Sequence, residues 1–461
     1  MKWVILNGSP KGATSVTMQS MKYLELTHGD HTFEYIHIVN NMKDYENKPA
    51  ELIETCEKIQ NADVVLWAFP LYHLLVHSSY KRFIELVSER HLERYFENKY
   101  TASFSTSIHF FDHTAHQYIN GICDDFGMQY VEQLSHDMND LTKEDKRKEL
   151  QIFFKSIVYS VDHTLAFPKT YEPIMKMNKS YNATLTNPTV KTNKNITIIT
   201  DAKEIDHNLN QMIQKFKSTV IGNVSIENLN TFTGNGPCLG CCKCAYDNTC
   251  VYEHKDDYRA RMDAIIQNTD ILIFAGTIKD RYLSARFKWF FDRSFCYTHI
   301  PIYSGKQIGF LISGPFIKLK NVRQILEGYT QMDANLIGFI SDEVENDFEL
   351  DQHIEAFAEK AILYSENGYE RAPNFLGVGG RKIFRDEVAG NLGAIFKGDY
   401  QYYKAHDFFD FPTSKDRLKA MLMRYFMGKK RFRDEVQKNM KNHMIASHKK
   451  VLKKVEDGLC Q

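Results

Sequence analysis

Twice along its length this chain alternates short apolar runs with amphipathic stretches of helical period, and that alternation sets its fold class. In the first pass the pattern predicts strands at 2–6, 32–38, 64–69, 100–107 and 128–134, with helices at 14–26, 51–60, 79–88, 113–126 and 143–161. Apolar runs of about four to eight residues separated by helices suit strands buried on both faces, as in a parallel sheet covered above and below. The second pass repeats the order, with strands at 196–200, 220–229, 271–278, 307–313 and 335–341 and helices at 206–216, 256–267, 284–295, 321–330 and 348–364. The expected architecture is α/β: two doubly wound five-stranded parallel-sheet domains in tandem plus a helical C-terminal extension. Composition places the first domain at 1–161, a polar linker rich in Asn, Thr, Lys and Pro at 162–194, the second domain at 195–366, and an extension with a basic helical tail at 367–461. A chain of 461 residues is too long for one ordinary core, which agrees with this division.

Directly after the first strand stands Asn7-Gly8-Ser9-Pro10-Lys11-Gly12-Ala13-Thr14-Ser15-Val16-Thr17, running straight into a helix. Small residues and hydroxyls at a helix N-terminus present N–H and O–H donors to an anion, and the helix dipole favours negative charge there. Any one of these hydroxyls would serve equally well as a plain helix cap. Several together at the C-terminal end of the first strand, the ligand edge of such sheets, favour a phosphate. The matching position of the second pass reads Thr200-Asp201-Ala202-Lys203-Glu204-Ile205-Asp206, without glycine and with three carboxylates that would repel one.

Of nine cysteines, Cys238, Cys241, Cys244 and Cys250 stand at the spacing C-x2-C-x2-C-x5-C, close enough to converge on one inorganic centre. That spacing suits a 4Fe-4S cluster, while a four-thiolate zinc site and a metal-free, disulfide-capable loop stay open. Cys242, adjacent to Cys241, is expected to point away from the centre. Cys56, Cys123, Cys296 and Cys460 are scattered.

Three loops together carry a family resemblance. Gly8, Ser9, Pro10, Lys11, Ser15 and Thr17 fit a G-S-P-[RK]-x(3)-S-x-T pattern. Phe69-Pro70-Leu71-Tyr72-His73 with Lys81 and Phe83 fits an F-P-L-Y…K-x-F segment, and Ser105-Thr106-Ser107-Ile108-His109-Phe110-Phe111 follows the fourth strand. Over about residues 1–160 and 196–365 the chain resembles the NADPH-dependent FMN reductase and iron-sulfur flavoprotein group of the flavodoxin-like superfamily. The resemblance implies FMN, with its phosphate on Ser9, Lys11, Ser15, Val16 and Thr17. Its ring would lie between Pro70, Leu71, Tyr72 and His73 on one side and Thr106, Ser107, Ile108 and His109 on the other. Members with a cysteine loop carry it after the second strand. Here it follows the strand at 220–229, so one half keeps the flavin loops and the other the cysteine loop.

The implied function is an oxidoreductase passing electrons from NAD(P)H through FMN to a small acceptor or protein partner, with a 4Fe-4S cluster turning two-electron flavin chemistry into single-electron steps. Two alternatives stand beside it: a ferredoxin-linked electron carrier, and a non-enzymatic redox sensor with a zinc-stapled cysteine loop. A homodimer is an open expectation. The cofactor carries the hard step, so no protein acid is required, although His109 is a candidate proton donor near the ring. His113 and His116 also gather there, at a spacing that suits a helix face.

Zero formal net charge gives no overall attraction to a polyanion, and no basic and aromatic pattern of a nucleic-acid module is present. The longest apolar runs, such as 64–69, are far below the roughly 20 residues of a membrane span. The N-terminus lacks a signal-peptide pattern, so a cytoplasmic protein is expected. Gly377-Val378-Gly379-Gly380 is expected to form a turn. From 414 to 461 fourteen Lys/Arg stand against five Asp/Glu, with Met and Leu interleaved. A helical hairpin that packs its apolar stripe and exposes its lysines is expected there, in preference to a surface-binding helix.

Overall fold

The computed structural model describes residues 1–175, 179–185, 187–331, 334–390 and 392–457. Cys460 and the last residues of the basic tail lie outside the described residues. The first half runs β1 (Lys2–Asn7), α1 (Val16–Thr27), β2 (Thr32–His37), α2 (Met42–Asn47), α3 (Pro49–Gln60), β3 (Val64–Pro70), α4 (Ser78–Glu89), β4 (Tyr100–Ser107), α5 (Asp112–Asp125), β5 (Gln129–Asp137) and α6 (Glu144–Asp162). The second half runs β6 (Val190–Lys191), β7 (Ile196–Thr200), α7 (His207–Thr219), β8 (Val220–Ile221), β9 (Val224–Asn228), α8 (Tyr258–Asn268), β10 (Ile271–Thr277), α9 (Ala285–Arg293), β11 (Gln307–Ser313), α10 (Lys320–Gln331), β12 (Asn335–Ser341) and α11 (Asp347–Glu366). The extension is helical: α12 (Phe375–Ala389), α13 (Leu392–Ile395), α14 (Lys397–Ala405), α15 (Ser414–Met427) and α16 (Lys430–Glu456).

The strand orders are β2-β1-β3-β4-β5 and β9-β7-β10-β11-β12, and every pairing within the two sheets is parallel. Both halves are thus the same doubly wound, flavodoxin-like 2-1-3-4-5 sheet. Side chains alternate faces along each strand. Trp3, Ile5 and Leu66 pack against α6 through Phe154 in one outer core, and Ile198, Ile273 and Phe357 form the other. Val4, Trp67 and Phe69 of the first sheet and Leu272, Phe274 and Phe310 of the second share a single inner core with Tyr80, Phe287 and Phe290. The chain divides into two compact units, Met1–Tyr402 and Tyr403–Gln461, and both sheets lie in the first.

Helices α4 and α9 join the halves by reciprocal caps. The Ala285 N–H at the start of α9 donates to Glu85 Oε1 of α4 at 2.7 Å, and the Ser78 N–H at the start of α4 donates to Asp292 Oδ2 of α9 at 2.7 Å. Each carboxylate also pairs with a fully buried lysine one turn back, Lys81 with Glu85 and Lys288 with Asp292. Burial works against the Lys81 charge, but the Asp280 and Glu85 carboxylates raise its pKa above the ordinary lysine value.

Four expectations are corrected. The strand expected at 220–229 is broken: β8 pairs with β6, and only β9 joins the second sheet. The short helix α2 lies in a stretch where no helix was expected; six residues are too few to show a period. The glycines at 377, 379 and 380 lie within α12, where Asn374 caps the Leu376 N–H at 2.9 Å. The Gly377 and Gly380 positions are buried, and a cap with tertiary packing outweighs the roughly 1 kcal/mol helix penalty of each glycine. In the tail, α15 and α16 form and Phe426 meets Phe432 at 5.6 Å, but neither helix contains a buried residue, so the apolar stripe is not buried within the hairpin as expected.

Candidate functional site

β1, β3 and β4 are adjacent in the first sheet, so the three loops singled out by the sequence leave the same edge side by side. Ser15 is the N-cap of α1, its Oγ accepting from the Met18 N–H at 3.2 Å. The first-turn N–H groups of Val16 and Thr17 have no helical acceptor, as at any helix start. Ser9 is buried. Its N–H donates to Asn7 Oδ1 at 2.9 Å, and its Oγ accepts from the Lys11 N–H at 3.2 Å. Lys11 is exposed, and the loop 7–17 holds no acidic residue. Gly8 is required here for a steric reason: a Cβ would stand 2.9 Å from Phe69 Cβ. The donor set therefore fits a phosphate in charge and in free N–H groups.

The other two loops are tied to the first and to each other. Thr17 Oγ1 lies 2.7 Å from Thr106 Oγ1, and the Leu71 N–H donates to Thr106 O at 3.1 Å. His73 (φ 39°), Leu74 (φ 66°), His109 (φ 59°) and Phe111 (φ 63°) all adopt the left-handed region. Such strain in non-glycine residues gathers at binding sites. Pro70, Tyr72 and Ile108 line these loops half-buried, Ser107 accepts from the His109 N–H at 2.8 Å, and His109 Nδ1 is 3.0 Å from Asp112 Oδ2.

The cysteine loop forms a cavity of its own. Cys238, Cys241, Cys242, Cys244 and Cys250 line it with Arg293, Phe295 and one residue that spacing did not single out, Cys296, buried in the turn after α9. Six thiols surround the space, and no carboxylate or imidazole is among its lining residues. That all-sulfur set fits thiolate ligation in kind. Among the described residues no His, Cys, Asp and Glu side chains stand as a preformed site for a single metal ion. Cys242 adopts φ 54° and turns its Sγ toward Gly240 O at 3.7 Å. Burial pushes the Cys238 and Cys296 thiols up to about 12. Asp256 pairs with Arg293 at 2.8 Å, and Arg293 and Trp289 both donate to Gly236 O, anchoring the start of the loop.

The two sites meet. His77 Nε2 lies 2.8 Å from Cys238 O, the Tyr72 and His77 rings meet edge to face at 4.8 Å, and Lys288 Nζ donates to Tyr72 O at 2.9 Å. Gly240 (φ +59°) packs so closely that a Cβ would stand 2.0 Å from the Tyr72 hydroxyl and 3.6 Å from Lys11 Cε. Gly240→Ala is therefore expected to cost about 1–3 kcal/mol from overpacking and backbone strain. Denaturant midpoints should also show part of that loss recovered in Gly240→Ala/Tyr72→Phe, which removes the clashing oxygen.

The second half has no such cradle. Asp280 binds Lys81 at 2.9 Å and Tyr118 at 3.0 Å, and Arg281 binds Asp125 at 2.7 Å, so the loop after β10 is committed to holding the halves together. Asp201, at the place of the phosphate loop, is buried and accepts from the Ser284 hydroxyl.

One further group escaped the sequence reading. His299 Nδ1 is 2.7 Å from Oδ2 of the buried Asp399, which also accepts from Thr298, and the His299 ring stacks on Phe384 at 4.4 Å. Phe384 in turn meets Phe110 of the third loop edge to face at 5.1 Å. Asp399 and Phe384 belong to the extension, where no motif marks them. His116, placed on a helix face by its spacing, lies buried between Ser103 Oγ (2.6 Å from Nδ1) and Ser105 Oγ (2.8 Å from Nε2). Burial lowers its pKa to about 4. The unfolded chain, with an ordinary imidazole, binds the proton first as pH falls. The stabilisation is thus present above about pH 6.5 and is lost toward pH 4, roughly 2 kcal/mol between pH 7 and pH 5. Urea melts at the two pH values should show at least this loss, and His116→Gln should shrink it by about that amount, with His73, whose pKa burial also lowers to about 4, supplying part of what remains.

Residues 1–135 match the NADPH-dependent FMN reductase family. Similar solved structures include a flavoenzyme NAD(P)H:(acceptor) oxidoreductase from Paracoccus denitrificans, 18% identical with a TM-score of 0.30, over 35% of this chain and 97% of its own. An NADH:FMN oxidoreductase in its apo form is 18% identical with a TM-score of 0.30, over 37% and 92%. An FMN-dependent NADH-azoreductase from Bacillus anthracis, in complex with FMN, is 14% identical with a TM-score of 0.25, over 35% and 98%. No curated protein matches the chain.

Proposed function

We propose that this chain is an FMN-dependent NAD(P)H oxidoreductase whose first half binds one FMN and whose second half holds an iron-sulfur cluster beside it. The observation that carries this reading is the seating of the cysteine loop on the loop expected to border the flavin, through Gly240 on Tyr72 and His77 on Cys238. Bound FMN would supply hydride chemistry with a nicotinamide, and a cluster held by the cysteine loop would supply one-electron chemistry beside it. Ser9, Lys11, Ser15 and the Val16 and Thr17 N–H groups bind the phosphate. Pro70 to His73 and Thr106 to His109 hold the ring, with the Tyr72 carbonyl fixed by Lys288. Cys238, Cys241, Cys244 and Cys250 ligate the cluster, and Cys296 is a further buried thiol against it. His109 and His299, each held by an aspartate, are two imidazoles by the ring loops placed to hand a proton to a reduced acceptor.

The test is flavin and metal analysis of anaerobically purified protein, followed by addition of NADH or NADPH. One FMN and about four iron per chain, as a 4Fe-4S centre requires, with bleaching of the flavin by a nicotinamide, are expected. Colourless protein containing zinc would sink the reading in favour of a redox sensor. Flavin reduced by ferredoxin and by neither nicotinamide would make the protein an electron carrier.

A further inference from the structure

The helical pair α15 and α16 carries an exposed apolar stripe set among cations. In α15, Leu418, Met421, Leu422 and Tyr425 follow at the i, i+3, i+4, i+7 spacing of one face, and in α16 Phe432, Val436, Met440 and Met444 follow at successive i+4 steps. A hairpin that packed on itself would bury them, yet Met421 is 56%, Tyr425 64% and Met444 66% exposed. An apolar surface of this extent, rimmed by polar residues, marks an interaction face.

Charge selects the occupant. Across 414–461 fourteen Lys/Arg face five Asp/Glu, and Lys449, Lys450, Lys453 and Lys454 flank Val451 and Leu452. A second copy of the chain would set this positive excess against itself. A nucleic acid would take the cations and leave the Met and Leu side chains in water. An anionic lipid surface satisfies both, headgroups pairing with the cations while the apolar stripe enters the acyl boundary. The 27 residues of α16 extend roughly 40 Å at about 1.5 Å per residue, long enough to lie along such a surface. Among the described residues no helix is long and apolar enough to cross a membrane. We propose that α15 and α16 are a peripheral device that binds anionic membrane surfaces. It stands independently of the flavin site.

The test is sedimentation of the full-length protein with vesicles of phosphatidylcholine and phosphatidylglycerol, two parts to one, and with vesicles of phosphatidylcholine alone. Binding about tenfold or more tighter to the anionic vesicles, weakening as salt screens the charges, is expected. Two variants should lose it while keeping the circular dichroism of the parent: Lys449→Glu/Lys450→Glu/Lys453→Glu/Lys454→Glu, and Met421→Asp/Met444→Asp. Their altered side chains face solvent, so folding is not at stake. Equal partition to both vesicle types, or undiminished binding in either variant, overturns the proposal. So does concentration-dependent dimerisation that Met421→Asp/Met444→Asp abolishes without any effect on vesicles.

Discussion

Replacing Asp292 with Ala is expected to destabilise the protein by about 3–5 kcal/mol, read as a fall in the urea midpoint. The Asp292 carboxylate is wholly buried, pairs with the equally buried Lys288, and caps the Ser78 N–H of the other half. Its removal leaves an ammonium with Tyr72 O as its remaining partner and leaves the first N–H of α4 without an acceptor. Burial already lowers the Lys288 pKa, with the Asp292 charge opposing that shift, so the variant should also titrate Lys288 further toward neutrality. The double variant Lys288→Met/Asp292→Leu removes the buried charge altogether and should recover most of the loss. A fall of less than about 1 kcal/mol for Asp292→Ala would mean that the halves do not depend on this pair.

Lys11→Ala combined with Ser15→Ala should weaken FMN binding by about 3 kcal/mol or more, a hundredfold or more in Kd. Each hydrogen bond from this loop to a phosphate is charge-assisted and worth about 1.5–3 kcal/mol. Lys11 is exposed with no carboxylate in its loop, so its loss costs little stability. Ser15 is also a helix cap, which adds about 1 kcal/mol of stability loss. The comparison is therefore made on folded protein, by flavin fluorescence titration with circular dichroism as the control. Unchanged affinity in the double variant places the phosphate elsewhere.

The fold was legible because its signal is local. Ile196–Thr200, Gln307–Ser313 and Asn335–Ser341 form strands over the ranges the apolar runs predicted, since strands buried on both faces favour apolar side chains. The 7–17 loop stood out as a candidate anion site for the same reason: its hydroxyls, its glycine and its helix are contiguous. The glycines of α12 and the break at 222–223 were misread because a cap and a change of pairing partner decide them, and neither leaves a periodic trace.

The sequence alone determined two parallel α/β sheets in tandem, a glycine- and hydroxyl-rich loop after the first strand of the first and a cysteine loop on the second. Only the tertiary structure decided that these meet. Gly240 reaches Tyr72 across about 170 residues of chain, Glu85 and Asp292 cap each other's helices, Cys296 joins five thiols more than forty residues upstream, and Asp399 orients His299 from the extension. Each of these pairs couples residues distant in sequence through burial, where a charge or a donor must find its partner in space. Spacing along the chain carries no record of that requirement.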